Sequence, residues 1–302
     1  MPARFILSLD CEGKWGVADS LTASHCRKLA DDRLEEAYHG ILRLLDEHDI
    51  VATFAFAGLF SQTAGQFACL RPQVEAFAQR APDYLRPALR DIDATHGSGW
   101  HGAHLVEAVT SASVGHEIAL HGVTHVPWTD MSEELAEAEL DLFARLEGPV
   151  RQSRTFVYPR NLVAHVDMLE QLGMLGYRAA PRVRSRAASF AAEFNIFARP
   201  EPPIASDKMV PIPAGFFLNW QSGPRRLIPP VVTQHRARRL LDRAASAGDV
   251  VHYWLHPENV ATAPATLSVL RSLINEVARR RDAGSCEVLT QLDYCHRVRS
   301  LA

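Results

Sequence analysis

The stretch Gly115-His116-Glu117-Ile118-Ala119-Leu120-His121-Gly122-Val123-Thr124-His125 decides how this chain is read. Its first part, His116–Leu120, reads as a short apolar strand, and two imidazoles four residues apart, His121 and His125, follow at once. The first apolar strand, Phe5-Ile6-Leu7-Ser8-Leu9, ends in a similar way, in the acidic cluster Asp10-Cys11-Glu12-Gly13. Two histidines and a carboxylate at strand ends are the donors of a catalytic divalent-metal site, which takes three protein ligands and keeps one position open. Spacing alone does not decide the matter. A second pair four apart, His252/His256, occurs in the same chain, and solvated or core histidines produce the same spacing. The order of the surrounding pieces carries the argument.

Strands and helices alternate. Apolar, β-prone runs predict strands at Arg4–Leu9, Val51–Ala57, His116–Leu120, Thr155–Tyr158, Gly176–Ala180, Val250–Leu255 and Cys286–Thr290. Helical spacing marks Asp32–His48, with Asp31 or Asp32 as cap, and a segment capped by Ser132 and closed by Gly148-Pro149. Two more helices are expected near Leu162–Leu172 and Pro264–Arg281. Repeated βα units with apolar strands imply a parallel sheet covered by helices. Right-handed crossovers allow such units to close into a barrel, whose chemistry sits at the carboxyl ends of the strands. Asp10, Glu12, His121, His125, Arg160 and His256 all fall at such ends.

Bulk properties bound the function. Length allows one large α/β domain or two smaller ones; no internal repeat divides the chain, and we read 1–302 as one domain. Within it, 61–114 reads as a helical insertion and 187–232 as a Pro-rich connection, both long enough to shape a pocket. Hydrophobic content of 47% supports an ample core, and the net charge of −3 argues against a nucleic-acid surface. Arg178, Arg182, Arg184 and Arg186 cluster locally, as a solvated loop or as a contact for an anionic group. Five cysteines without a CxxC pair suit a reducing compartment. No secretory leader is visible, and the longest apolar run, Ile50–Phe60, is too short for a membrane span. The expectation is a cytoplasmic protein.

Taken in order, the pieces resemble the polysaccharide deacetylase superfamily. The acidic cluster Ser8-Leu9-Asp10-Cys11-Glu12-Gly13 resembles its first motif, and Ala52-Thr53-Phe54-Ala55-Phe56 its second strand. Gly115–His125 is the most specific match; Phe156-Val157-Tyr158-Pro159-Arg160-Asn161 and Leu255-His256 follow. The resemblance implies a distorted, incomplete (β/α)7-type barrel, a single domain with long inserted loops. It implies one divalent ion held by Glu12, His121 and His125; zinc is favoured by the donor types, and cobalt, iron or manganese also suit them. Asp10 is carried over as catalytic base, although the family's adjacent aspartates are here split by Cys11 and the two roles could be exchanged. Cys11 itself is expected to pack inward.

His256 is carried over as the acid that protonates the departing amine. Arg160, just past Pro159, is the local substitute for the family's missing arginine, holding Asp10 ionised. Gly122 stands where a hydroxyl residue is common, and Asp207 is only a weak candidate for the fourth motif. Trp15, Trp128, Tyr158 and Asn161 are taken as substrate contacts; Trp15, Trp100, Trp128 and Trp254 could offer sugar-stacking faces, although large aromatics serve cores and loops more often. His252 reads as a packing or supporting residue, and His101 and His104 as surface or lid groups. The implied reaction is hydrolytic removal of an acetyl or formyl group from an amino sugar. A small, nucleotide-linked or lipid-linked substrate fits a cytoplasmic enzyme. The rivals are a ureide or cyclic-amide amidohydrolase using the same site, and a silent relative that only binds carbohydrate. No nucleic-acid partner is expected, and oligomeric state stays open.

Overall fold

Alternation along the first strand, β1 (Ala3–Cys11), sorts the molecule into an outside and an inside. Phe5, Leu7, Leu9 and Cys11 join the main hydrophobic core under the helices. Ile6, Ser8 and Asp10 face the opposite way, among buried groups of the other strands. The remaining strands are β2 (Thr53–Phe56), β3 (Glu117–Leu120), β4 (Thr155–Phe156), β5 (Gly176–Arg178), β6 (Val210–Ile212), β7 (Phe216–Phe217), β8 (Val250–Leu255) and β9 (Cys286–Leu289). The computed structural model describes residues 2–181, 186–204, 206 and 208–300.

The strands form one sheet in the order β6-β5-β4-β3-β2-β1-β8-β7, with β9 paired to β1 off that path. β9 takes Ala3–Ile6 of β1 and β2 takes Ser8–Cys11, so the two share one edge of the long strand. Pairings between these strands are parallel. Among the described residues the end strands β6 and β7 do not pair with each other. The sheet is therefore a curled, open barrel, the architecture expected of the sequence.

Register stacks the interior in layers. Ser8 stands beside Thr53 and Trp254, Thr53 beside Glu117, and Asp10 beside Ala55. At the bottom Ile6, Val210, Ile212 and Val250 pack on Tyr294, Cys295 and Val298 of the helix Gln291–Arg299, which plugs the barrel. Glu117 of the opening stretch serves this plug. Its buried carboxylate accepts from Thr53 Oγ1 at 2.7 Å, from Thr155 Oγ1, and from the Leu292 N–H at 3.0 Å. It thereby satisfies an amide left free at the helix start.

The helices cover the outer face where their apolar stripes predict. Asp31–Glu47 buries Leu34, Tyr38, Ile41 and Leu45. Its N-cap is Ala30 without a side-chain cap bond, so neither Asp31 nor Asp32 caps it; both lie in the first turn, where they suit the helix dipole. Ser132 does cap Glu133–Arg145, accepting from Leu135 N. The region 61–114 carries helices Ala64–Arg80, Pro82–Thr95 and Ala103–Thr110. Expected Leu162–Leu172 shrinks to the helix Val166–Gln171, preceded by a 3₁₀ turn at Pro159–Asn161. The Pro-rich stretch hides two short strands, β6 and β7, which no periodicity announced. No helix among the described residues is long and apolar enough to cross a membrane.

Candidate active site

Interior parity delivers the polar side chains to the open end of the barrel. Asp10 is the last inward residue of β1, and His252, Trp254 and His256 share one parity through β8 and just beyond it. His121 follows β3 directly. Glu12 Oε1 lies 2.9 Å from His121 Nε2, 3.0 Å from His125 Nε2 and 3.3 Å from His256 Nε2. Glu12, His121 and His125 form one group able to hold a metal ion; Asp10, Glu12 and His256 form an overlapping one.

The chemistry of the first group fits a cation. His121 Nδ1 is 2.7 Å from the Val157 carbonyl, which only accepts, so that nitrogen carries the hydrogen. In the neutral ring Nε2 then presents a lone pair to the carboxylate. Two such atoms at this distance repel unless a positive charge lies between them. Burial holds the His125 ring below its ordinary pKa despite the attraction of Glu12, which favours a metal ion over a proton as that charge.

The loop after β1 is clamped from two sides. Glu258, just past His256, accepts the Glu12 N–H at 3.0 Å and the Gly13 N–H at 2.6 Å. Burial and the nearby Glu12 charge raise its pKa to about 7. Gly13 has φ +54°, and a Cβ there would lie 2.4 Å from the Phe60 ring, so only glycine fits. On the other side Lys14, 1% exposed, pairs with Asp91 at 3.0 Å, and its N–H reaches Gly99 O at 2.9 Å. The inserted region thus packs against the chain that carries Glu12.

The histidine loop is held by Glu139, which the sequence reading passed over. Its buried carboxylate accepts from Val123 N (2.6 Å), Thr124 N (3.1 Å) and Thr124 Oγ1 (2.8 Å). Burial lifts its pKa to about 7 despite these donors. Gly122 has φ +66°, and a Cβ would lie 2.8 Å from Pro159. The hydroxyl residue expected by resemblance has no room here.

The partner of Asp10 is a correction. Arg160 points away, pairing with Asp19 at 2.7 Å and lying over Tyr84. Arg178, at the end of β5, supplies the guanidinium, with Nη1 2.7 Å from Oδ1 and Nη2 2.5 Å from Oδ2 of Asp10. Arg178 has no exposed surface, so this member of the arginine cluster is neither solvated nor free to meet an anionic substrate. Asn161 accepts from its Nε at 2.9 Å and Ser8 Oγ from its Nη1 at 3.2 Å. Asn161 thus holds the arginine. Burial alone would raise the Asp10 pKa; Arg178 foremost, with His256, outweighs it and holds the carboxyl below its usual value. Arg178 ends a strand of only three residues, so no alternation in the sequence pointed to it.

A buried chain of hydrogen bonds continues behind the arginine. His252 Nδ1 faces Pro213 O at 2.6 Å and must donate, so Nε2, 2.8 Å from Ser8 Oγ, accepts the hydroxyl proton. The Ser8 lone pairs are left for Arg178. Burial, with Arg178 nearby, depresses His252 to about 3, so the ring stays neutral.

His256 Nδ1 lies 3.3 Å from Asn259 Oδ1. Burial opposes its charge, yet Glu12 and Asp10 raise its pKa to about 9. Three expected substrate contacts fail on burial. Trp15 is 2% exposed, edge-on to Trp100 and bonded to its carbonyl; Trp128 and Tyr158 are fully buried against Phe156. Trp254 does stand beside the site, under the Arg178 guanidinium at 4.7 Å and next to His256. His104 is on the surface near Glu35 and His101 packs on Phe67. Asp207 lies outside the described residues, as do Arg182 and Arg184.

The polysaccharide deacetylase sequence profile matches residues 29–180. That segment contains His121, His125 and Arg178; Asp10, Glu12 and His256 lie beyond it. No curated protein sequence matches the chain. Among solved structures, a putative polysaccharide deacetylase from Mycobacterium smegmatis is 16% identical, covering 99% of this chain and 90% of its own, at a TM-score of 0.60. A probable polysaccharide deacetylase from Pseudomonas aeruginosa PAO1 is 13% identical over 97% of this chain and 90% of its own, at 0.59. Puue allantoinase is 15% identical over 99% of this chain and 91% of its own, at 0.57. At these identities the likeness is one of fold.

Proposed function

Since this chain belongs to the polysaccharide deacetylase family, we propose that it is a metal-dependent hydrolase removing an N-acyl group, acetyl or formyl, from an amino sugar or a related small glycosylated substrate. The observation that carries the reading is the convergence of Glu12, His121 and His125 on one point, with Asp10–Arg178 and His256 beside it. Residues 1–302 act as one catalytic domain in this reading. Glu12, His121 and His125 hold one divalent ion, zinc by preference of the donor set. Bound there, such an ion supplies Lewis acidity that activates water and polarises a carbonyl.

The chain's own residues do the rest. Asp10, kept anionic and fixed in orientation by two parallel bonds from Arg178, accepts the proton of the attacking water. His256, charged beside Glu12, delivers a proton to the amine nitrogen as the C–N bond breaks. Trp254 offers an apolar wall next to Arg178 and His256. A cytoplasmic nucleotide-linked or lipid-linked amino sugar is the substrate class that suits this reading.

The test is product analysis on zinc- or cobalt-supplemented enzyme with N-acetyl and N-formyl amino sugars, free and nucleotide-linked. The expected outcome is one acetate or formate released per free amine formed. Ring opening of a cyclic ureide without a released acid would overturn it in favour of an amidohydrolase.

A further inference from the structure

Charge and apolar exposure are distributed unevenly over this chain, and they coincide. Between Gln171 and Leu241 eleven Lys and Arg face three Asp and Glu, while the whole chain carries −3. No acidic residue occurs from Lys208 to Leu241. Among the described residues every large hydrophobic that is exposed lies inside the same span: Leu172, Phe194, Phe197, Ile204, Leu227 and Val231. Leu227 is the most exposed of this set at 71%, and Val231, four residues on, is 63% exposed.

These two residues flank Pro229 and Pro230, also exposed, at the start of the helix Pro230–Ala247. The segment is pinned rather than loose. Ile228 between them is fully buried, with its carbonyl held by Asn219 Nδ2 at 3.2 Å. Arg225 is tied to Glu193 at 2.5 Å. The side chains left pointing outward are therefore Leu227, Val231 and the exposed Arg226, which makes no ion pair among the described residues. The rim also borders the site. The Arg225 guanidinium lies 5.2 Å from the Phe217 ring, and that ring is 6.1 Å from the ring of His256.

An apolar tip with the exposed Arg226 beside it, in a span of basic excess on a chain that is acidic elsewhere, is complementary to one surface: the headgroup and acyl boundary of an anionic bilayer. We propose that the rim Gly223–Val231 docks the barrel mouth onto an anionic lipid surface, where Leu227 and Val231 enter the interface and Arg226 pairs with headgroup phosphates. On the reading above, this selects an amino sugar carried on a membrane lipid over a freely diffusing one. The docking itself does not depend on that reading, and its test uses no turnover.

The test is co-sedimentation of the full chain with vesicles of phosphatidylglycerol and phosphatidylcholine, beside pure phosphatidylcholine vesicles. The expected result is partition onto the anionic vesicles that falls with added salt. Leu227→Asp/Val231→Asp should weaken it about tenfold or more, and Arg226→Glu should weaken it too, with thermal unfolding midpoints unchanged. Absence of binding, or binding that the double variant leaves intact, would overturn the proposal. So would a dimer in solution that the double variant dissolves, since the face would then belong to a second copy.

Discussion

Replacing Arg178 by methionine should cost about 3–4 kcal/mol of folding stability at pH 7, and most of that cost should vanish in acid. Asp10 is 2% exposed and Arg178 fully buried, so the substitution leaves a carboxylate in low dielectric without its bidentate partner. Breaking a buried pair in this way costs about 3–5 kcal/mol. The carboxyl can escape by taking a proton, which limits the penalty. Neutralising a group of ordinary pKa near 3.9 at pH 7 costs about 4 kcal/mol, and at pH 5 only about 1.5 kcal/mol.

The sign follows from linkage. In the wild type the folded-state pKa of Asp10 lies below the unfolded value. Its stabilisation is therefore present above the unfolded pKa and lost as pH falls through the folded one. In the variant the folded-state pKa rises above the unfolded value, so the penalty grows with pH. Urea unfolding of both proteins at pH 7 and pH 5, with chelator present, measures the difference. Asp10→Asn combined with Arg178→Met should cost less than Arg178→Met alone. Arg160→Met, which removes the half-exposed Asp19 pair and the contact over the Tyr84 ring, should cost about 1 kcal/mol. An Arg178→Met penalty below about 1 kcal/mol, or one equal at both pH values, would refute the pairing argument.

His252 should make the wild type acid-sensitive. Its folded pKa near 3 lies below the ordinary 6.5, so the unfolded state binds more protons between them and stability falls as pH drops through that window, by up to about 1.4 kcal/mol per unit. His252→Gln, which keeps a donor for Pro213 and an acceptor for Ser8, should show a shallower fall in chemical denaturation; an identical slope would count against it. Glu258→Gln should be tolerated, because the amide oxygen still accepts both loop N–H groups, whereas Glu258→Leu should weaken metal affinity about 10–100-fold by calorimetry. Equal affinities would remove Glu258 from the support of Glu12. His256→Ala should lower kcat about 10²–10⁴-fold with metal content unchanged; loss of the metal instead would make His256 a ligand.

Much of this arrangement was legible because it follows from two periodicities. A strand that ends in Asp10-Cys11-Glu12 puts both carboxylates on one side and the thiol on the other, and Cys11 is indeed buried in the outer core. His121 and His125 follow a strand of the same parallel sheet, so they arrive at the same end of the barrel. Arg178 escaped because β5 is three residues long and merges into an arginine-rich run, where parity cannot be counted. The strands β6 and β7 escaped because segments of three and two residues among prolines carry no alternation. Trp15, Trp128 and Tyr158 were misplaced for a different reason: an aromatic side chain suits a core and a sugar face equally, and only tertiary packing separates the two. Glu139 lies on a helix that reads as merely amphipathic, and Glu258 on the short helix Pro257–Thr262, which the sequence pattern does not announce; their carboxylates are recognised by the backbone amides they meet, which no local pattern encodes.

Metal content tests the central claim most directly. Elemental analysis of gently purified wild type should give about one divalent ion per chain, lost in a His121→Ala variant that keeps its fold by circular dichroism. Wild type without metal that also fails to take up zinc, cobalt or manganese, or a His121→Ala variant that retains the full complement, would contradict the site proposed here.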